Sequence, residues 1–421
     1  MKTIALSFSV LLVACSDDAA PKPPCDLTIQ GNICTIAGNG TSGYAGDDGP
    51  ALAARMSLPQ DTLHAPDGTM YILDWNNHRL RKVDTDGTMR AVAGNGELGG
   101  SLDNPANADF NHPTAMVFDP SGQKIVIAAW HNSKVRVVDL ATSAVSDLGG
   151  DGRRAYFGDD GDAITASFDL PASLAWSPAG DLVVMDQANQ VIRRIDAAGK
   201  VHHVAGRCVI DAPPPLGAGP CADGVLPTAC PTPSGKATCG SNAVCSTAPC
   251  TPAYAGDEGP ATDMRIAQPF GQSADPAGRI AFDTAGDLYF ADTSNAVIRK
   301  ITTDGIVHRV AGLAPVGGMA QSGYAGDGGP ATAATLNNPV DLAFGPDGTL
   351  YFTDTYNHCV RAIASSGTIA TVAGRCGTSG YDGDGGPATS ATLKRAYGLE
   401  VFGGTLYITD TGNDVIRAVK L

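Results

Sequence analysis

The sequence predicts an all-β fold, a six-bladed β-propeller of four-stranded antiparallel blades. Three observations predict it. One short signature recurs six times at intervals of about 55 to 60 residues, with a single interval near twice that. Each copy is surrounded by four short runs of β-branched and aromatic residues separated by turn formers, the pattern of four short strands. The composition agrees: 52 glycines with 17% charged and 6% aromatic residues suit many tight turns better than helices.

The signature is an apolar run closing in Asp, then two residues, Asn, three residues and Arg. It reads Asp74, Asn77, Arg81; Asp186, Asn189, Arg193; Asp292, Asn295, Arg299; Asp354, Asn357, Arg361; and Asp410, Asn413, Arg417. A degenerate copy keeps Asn132 and Arg136 but has Ala129 in the Asp place. Before each signature comes a first strand such as Leu342-Ala343-Phe344, a tight turn such as Pro346-Asp347-Gly348, and a second strand such as Leu350-Tyr351-Phe352-Thr353. The Arg sits in a third strand, and a Gly turn leads to a fourth that ends Val-Ala-Gly, as in Val310-Ala311-Gly312. Four such strands make one blade.

Closure of the ring follows from the two ends of the repeat. The run Thr35 to Gly38 looks like a fourth strand but precedes the first complete blade, while Val415 to Leu421 is a third strand with no fourth after it. The N-terminal strand is therefore expected to complete the last blade, which removes an exposed edge.

These units resemble NHL repeats, especially the variety with a Gly-Asp-Gly-Gly-Pro-Ala-Thr stretch ahead of the first strand. That wording stands at Tyr324 to Thr332 and at Gly383 to Thr389. Tyr44 to Ala51 and Tyr254 to Thr262 match closely, Tyr156 to Thr165 loosely and Leu98 to Ala106 barely. The resemblance implies a six-bladed propeller over residues 26–421. Propellers of this look include lyases and lactonases, and an NHL-like amidating lyase uses a metal held by His.

The first residues carry a second resemblance. Lys2 precedes an apolar run from Ile4 to Ala14, too short for a permanent membrane span. It ends Leu12-Val13-Ala14-Cys15, which is similar to the lipobox of bacterial lipoproteins. The resemblance implies a signal peptide over 1–14, lipidation of Cys15 and a polar, proline-rich tether over 15–25. Ser16 after the Cys favours the outer membrane in that family's sorting pattern. The expected location is the cell envelope, with the lipid anchor as the only membrane contact.

Of 11 cysteines, Cys15 leaves an even number and none forms a Cys-x-x-Cys pair, so disulfides are expected in an oxidising compartment. Residues 207–253, between blades three and four, form a Cys-rich insertion with Cys208, Cys221, Cys230, Cys239, Cys245 and Cys250, whose pairing the sequence leaves open. Cys359 and Cys376 bracket adjacent strands of blade five and are expected to bridge, and Cys25 with Cys34 forms the last pair.

Function is read from the face on which second-to-third-strand turns and blade connections, the Gly-Asp-Gly-Gly loops among them, are expected to emerge, because long loops on a rigid scaffold are where binding sits. The repeated Asp, Asn and Arg read as architecture, since short polar side chains cap turns and Asp can pair with Arg across the hairpin. Where the repeats differ is more informative. At one position of the first strand they carry Asp61, Ala115, Ser173, Arg279, Asp341 and Tyr397, near the mouth of the central channel. Asp61, Ser173, Arg279, Asp341 and Tyr397 are therefore the candidate ligand contacts, led by Arg279 and Tyr397, since such side chains dominate interface energetics.

The histidines do not predict a metal site. His78, His131 and His358 fall in or beside second-to-third-strand turns, His202, His203 and His308 near fourth strands, His112 before a first strand and His64 at the end of one. No three are expected to converge on the channel mouth. No nucleophile elbow, paired carboxylates or phosphate loop appears, so no catalytic residue is assigned. No cofactor is expected. Calcium is the nearest candidate, at Asp382-Gly383-Asp384-Gly385, which lacks the terminal Glu of a calcium loop. A net charge of −15 without Lys or Arg clusters argues against nucleic acid. The expectation is a non-catalytic recognition or scaffold propeller for a protein or glycan. The alternative is a metal-dependent lyase or lactonase-type enzyme.

Overall fold

The computed structural model describes residues 25–421 apart from 101, 103–107, 210–249 and 272. Cys15, the signal and tether residues before Cys25, and Cys221, Cys230, Cys239 and Cys245 lie outside the described residues. Six antiparallel sheets follow one another along the chain, and each contains the four strands expected of a blade.

Blade five shows the plan: Pro339–Phe344, Leu350–Asp354, Cys359–Ile363 and Ile369–Ala373, each pairing with the next. A 3-10 turn, Thr355–Asn357, joins the second strand to the third, and His358 beyond it has a φ of 59°. Every blade repeats this turn after the signature position, and the following residue always adopts a left-handed conformation.

The ring closes as the repeat predicts. Strand Asn32–Ala37 lies against Val415–Lys420, with Ile33 opposite Val419 and Thr35 opposite Arg417. Cys25 and Cys34 form a disulfide beside this seam, and Cys359 and Cys376 form the expected bridge in blade five. Cys208 and Cys250 also pair, with Cα atoms 4.9 Å apart, clamping the base of the insertion.

The core is divided among the blade interfaces, because each sheet has two faces and buries both against its neighbours. Val126, Val135 and Phe168 pack with Leu174, Leu182 and Val184 between blades two and three. Ala37 and Ile416 of blade six pack with Ala51, Met56 and Ile72 of blade one across the closure.

The Gly-Asp-Gly-Gly-Pro-Ala-Thr stretches correct one expectation. They do not decorate the loop-bearing face but run along the outer rim. Gly49 and Pro50 pair with Met89 and Thr88 at the start of a fourth strand, and Pro330 pairs with Thr368 in the same way. Beyond the Pro, or beyond Asp162 in blade three, a short 3-10 turn drives Ala51, Ala163, Ala261, Ala331 or Ala388 into the adjoining core. Small residues are needed because the wedge fits between two packed sheets, and glycines turn where no Cβ fits. A Cβ on Gly326, at φ +96°, would lie 2.7 Å from the Cα of Ala334.

Candidate functional site

The signature residues form a buried clamp. All six signature arginines are fully buried. Arg361 donates to Asp354 at 3.3 Å, to Asp327 of the rim stretch at 2.6 Å, and to the carbonyls of Thr335 and Ala325 at 2.9 and 3.0 Å. Asn357 donates to Asp354 at 2.9 Å and to the Gly323 carbonyl at 2.8 Å. The same pairs recur for Arg81 with Asp74 and Asp47, Arg193 with Asp186 and Asp159, and Arg299 with Asp292 and Asp257. Arg417 reaches Asp384 at 2.7 Å and Asp410 at 3.8 Å. A tyrosine of the rim stretch covers five of the six guanidinium groups, those of Arg81, Arg193, Arg299, Arg361 and Arg417, as Tyr324 covers Arg361 at 5.2 Å. The rim carboxylates are thus turned inward onto arginine.

Blade two, without the signature Asp, substitutes two groups. Arg136 takes Asp147 at 3.0 Å, and the Asn132 side chain accepts the Asn111 backbone N–H at 2.9 Å. Burial pushes the clamp carboxyls above their usual range, to about 6 at Asp74, Asp292 and Asp354 and about 7 at Asp186 and Asp410.

The first-strand ring is placed differently from expectation. Asp61, Ala115, Ser173, Arg279, Asp341 and Tyr397 are all buried, with Arg279 4% and Tyr397 4% exposed. They do not line an open, solvated mouth. In blades one, three and five the side chain accepts a backbone N–H from the next first strand: Asp61 from Met116 at 2.8 Å, Ser173 from Ile280 at 3.1 Å and Asp341 from Leu399 at 2.8 Å. Arg279 crosses from blade four to Asp61 at 3.0 Å, to the Gln60 carbonyl at 3.1 Å and to the Thr114 carbonyl. Burial pushes Asp61 up to about 7 against the pull of Arg279. Burial would lower the Arg279 guanidinium, but the carboxylates of Asp61 and Asp341 more than offset this.

The ring is buried because the approach to blade four crosses above it. Gln187 in the blade-three turn donates to the carbonyls of Pro269 and Asp275 at 2.8 and 3.0 Å and accepts the Ala277 N–H at 3.1 Å. Ala274 packs beside Trp75 and Trp130. The Asp275 carboxylate takes Tyr356 Oη and Arg395 of blades five and six, each at 2.6 Å, and Arg395 also donates to Tyr397 Oη at 2.7 Å. Phe270, Tyr356 and Arg395 remain exposed on this face.

The histidines supply a second correction. His78, His112 and His131 do meet, beside the mouth. The His78 and His112 ring centroids are 4.6 Å apart, those of His112 and His131 4.8 Å, and the His112 and His131 Nδ1 atoms 2.9 Å. Trp75 lies 4.2 Å from His112, and Trp130 stacks on His131 at 4.2 Å. They meet because the lead-in to blade two folds back over the turn of blade one, so that the His112 N–H approaches His78 Nδ1 at 3.4 Å. Burial and the neighbouring imidazoles push His112 down to about 3, and burial lowers His78. The cluster is therefore neutral at its centre. Among the described residues, no group of three or more His, Cys, Asp or Glu has the geometry to hold a metal ion.

Residues 336–363, from the blade-five lead-in through its third strand, match the family model of the NHL repeat. Two curated relatives are similar along most of this chain. SUPPRESSOR OF QUENCHING 1 of Arabidopsis thaliana is 23% identical over 338 residues, covering 79% of this chain and 27% of that protein. Teneurin-m of Drosophila melanogaster is 26% identical over 396 residues, covering 88% of this chain and 12% of its own length. The chain thus spans about a quarter or less of the length of these relatives. Among solved structures, an auxiliary nutrient binding protein of Bacteroides thetaiotaomicron aligns with a TM-score of 0.57 at 15% identity, over 92% of this chain and 75% of that one. A Bacteroides thetaiotaomicron protein of unknown function gives a TM-score of 0.61 at 15% identity, over 92% and 75%. At such identities the likeness is one of fold. No helix among the described residues is long and apolar enough to cross a membrane.

Proposed function

We propose that this NHL-repeat propeller is a non-catalytic recognition module of the cell envelope, binding a protein or glycan on the face that bears the second-to-third-strand turns. The observation that carries the reading is the cluster of Asp275, Tyr356 and Arg395, in which blades four, five and six present half-exposed groups locked by bonds of 2.6 Å. A surface fixed in this way loses little conformational freedom on association, so modest contacts leave a net affinity. Arg279 and Tyr397 act beneath it as support: Tyr397 holds Arg395, and Arg279 joins the blades under the crossing segment.

The reading includes anchorage through Cys15 as a lipoprotein, over the domain limits given by the sequence. The chain enters the blades at Cys25, near the end of the disc where the Gly31 N–H bonds the Lys420 carbonyl at 2.8 Å, opposite the loop-bearing face. A tether of about 10 residues reaches at most ~35 Å. Such an anchor would leave the loop-bearing face turned away from the membrane. The test is crosslinking on intact cells to capture the partner, then affinity measurement with Tyr356→Ala and Arg395→Ala. A loss of tenfold or more in either, about 1.4 kcal/mol, is expected. Full affinity in both would move the site off this face.

A further inference from the structure

In four blade interfaces the left-handed residue after the 3-10 turn reaches across to the following blade, where its side chain accepts a backbone N–H of the lead-in. Asp414 takes Leu58 at 2.7 Å, His78 takes His112 at 3.4 Å, Gln190 takes Gln268 at 2.7 Å and His358 takes Arg395 at 3.2 Å. Each bond ties the turn of one blade to the entry of the next. The lead-in N–H lies outside the sheet ladders, so a side chain has to satisfy it.

The latch at His358 is the one that meets the charged cluster. Its partner Arg395 is held by the backbone in blade five and by its guanidinium to Asp275, Tyr356 and Tyr397. Arg395 stands at φ 48°, a left-handed conformation that a side-chain-bearing residue keeps only when its surroundings impose it. The bond to His358 is part of that imposition.

Imidazole Nδ1 accepts only while it carries no proton, so the bond requires a neutral His358 with its proton on Nε2. Protonation would put an N–H where the acceptor was and a positive ring beside two cations. The charged groups acting on the ring are Arg395 and Lys394 of the blade-six lead-in. Cys359, next in the chain, is disulfide-bonded, and Asp275 and Tyr356 face the Arg395 guanidinium. Gln190, which does the same work in blade three, has no charge to change.

We propose that His358 is a pH-sensitive latch: neutral, it holds the lead-in that carries Arg395, and protonated, it releases that lead-in and loosens the Asp275, Tyr356 and Arg395 cluster. The bearing of the latch on binding rests on the recognition reading above, whereas the latch itself does not. Burial lowers His358 from its ordinary value of 6.5, and Arg395 and Lys394 lower it further. A histidine lowered in the folded state contributes stability that is present above its unfolded value and lost as pH falls through the folded one. The latch is therefore closed at neutral pH and opens in acid.

Residue-resolved hydrogen–deuterium exchange on the full chain tests this, with protection factors taken from pH 7.5 to 4.5 so that the intrinsic pH dependence divides out. Protection of the Arg395 amide should fall tenfold or more toward pH 4.5, while the Gln268 amide, latched by Gln190, keeps its protection. His358→Gln, which supplies the acceptor used in blade three, should hold the Arg395 amide at both ends of the range. His358→Ala should lose its protection at both. Constant protection of Arg395 in the native chain, the same acid loss in His358→Gln, or a parallel loss at Gln268 would each overturn the latch. If Arg395 responds as expected while Tyr356→Ala and Arg395→Ala leave the affinity of a crosslinked partner unaltered, the latch stands and the recognition reading falls.

Discussion

Arg279→Met tests whether the channel is held by one buried guanidinium. In the native ring Arg279 pairs with Asp61 at 3.0 Å and bonds the carbonyls of Gln60 and Thr114, all inside the protein. Removing it leaves a carboxylate without its partner, and breaking one side of a buried pair costs about 3–5 kcal/mol. The cost depends on pH. Asp61 is pushed up to about 7 even with Arg279 pulling it down, from an ordinary value of 3.8, and losing Arg279 raises it further. A carboxyl whose folded value exceeds its unfolded one contributes stability that is complete below the unfolded value and lost as pH rises through the folded value. The destabilisation should therefore approach the full ~3–5 kcal/mol at pH 8. At pH 5, with Asp61 protonated, it should shrink to the lost carbonyl bonds, about 2 kcal/mol. Urea unfolding at both pH values measures the difference. Adding Asp61→Asn to Arg279→Met should restore part of the loss at pH 8 and flatten the pH dependence. An equal loss at both pH values, or no recovery in the double variant, would refute the reasoning.

Deleting residues 26–40 removes the outer strand of blade six and uncovers Ile416 and Val419, at a cost of at least ~4 kcal/mol; an unchanged melting curve would refute the closure energetics. Replacing 209–249 by a three-residue Gly-Ser linker should preserve the ring, because Cys208 and Cys250 already stand 4.9 Å apart at their Cα atoms; failure to fold, read by circular dichroism, would show that the insertion packs into the propeller. Cys15→Ala should move the protein from the membrane to the soluble fraction, and unchanged partitioning would refute the lipid anchor.

The blade count, the four strands per blade, the closing strand and two disulfides were legible in the sequence because each depends on periodic or local chemistry. Alternating apolar runs select strands, glycine turns set their ends, and the Asp-x-x-Asn-x-x-x-Arg signature marks the same hairpin each time. The rim stretches were legible as repeats but not as wedges, since that role depends on Ala331 and its equivalents meeting a second sheet. The burial of Arg279 and Tyr397 was decided by the segment around Ala274 and Asp275, whose partners Trp75, Gln187, Tyr356 and Arg395 come from four other blades. His78, His112 and His131 likewise meet only because one blade's lead-in folds over the previous blade's turn. By itself, then, the sequence determined what is repeated, because a repeated unit solves the same local problem six times. Only the tertiary structure decided what occupies the channel mouth, because there the side chains that differ between blades are brought together by the closing of the ring.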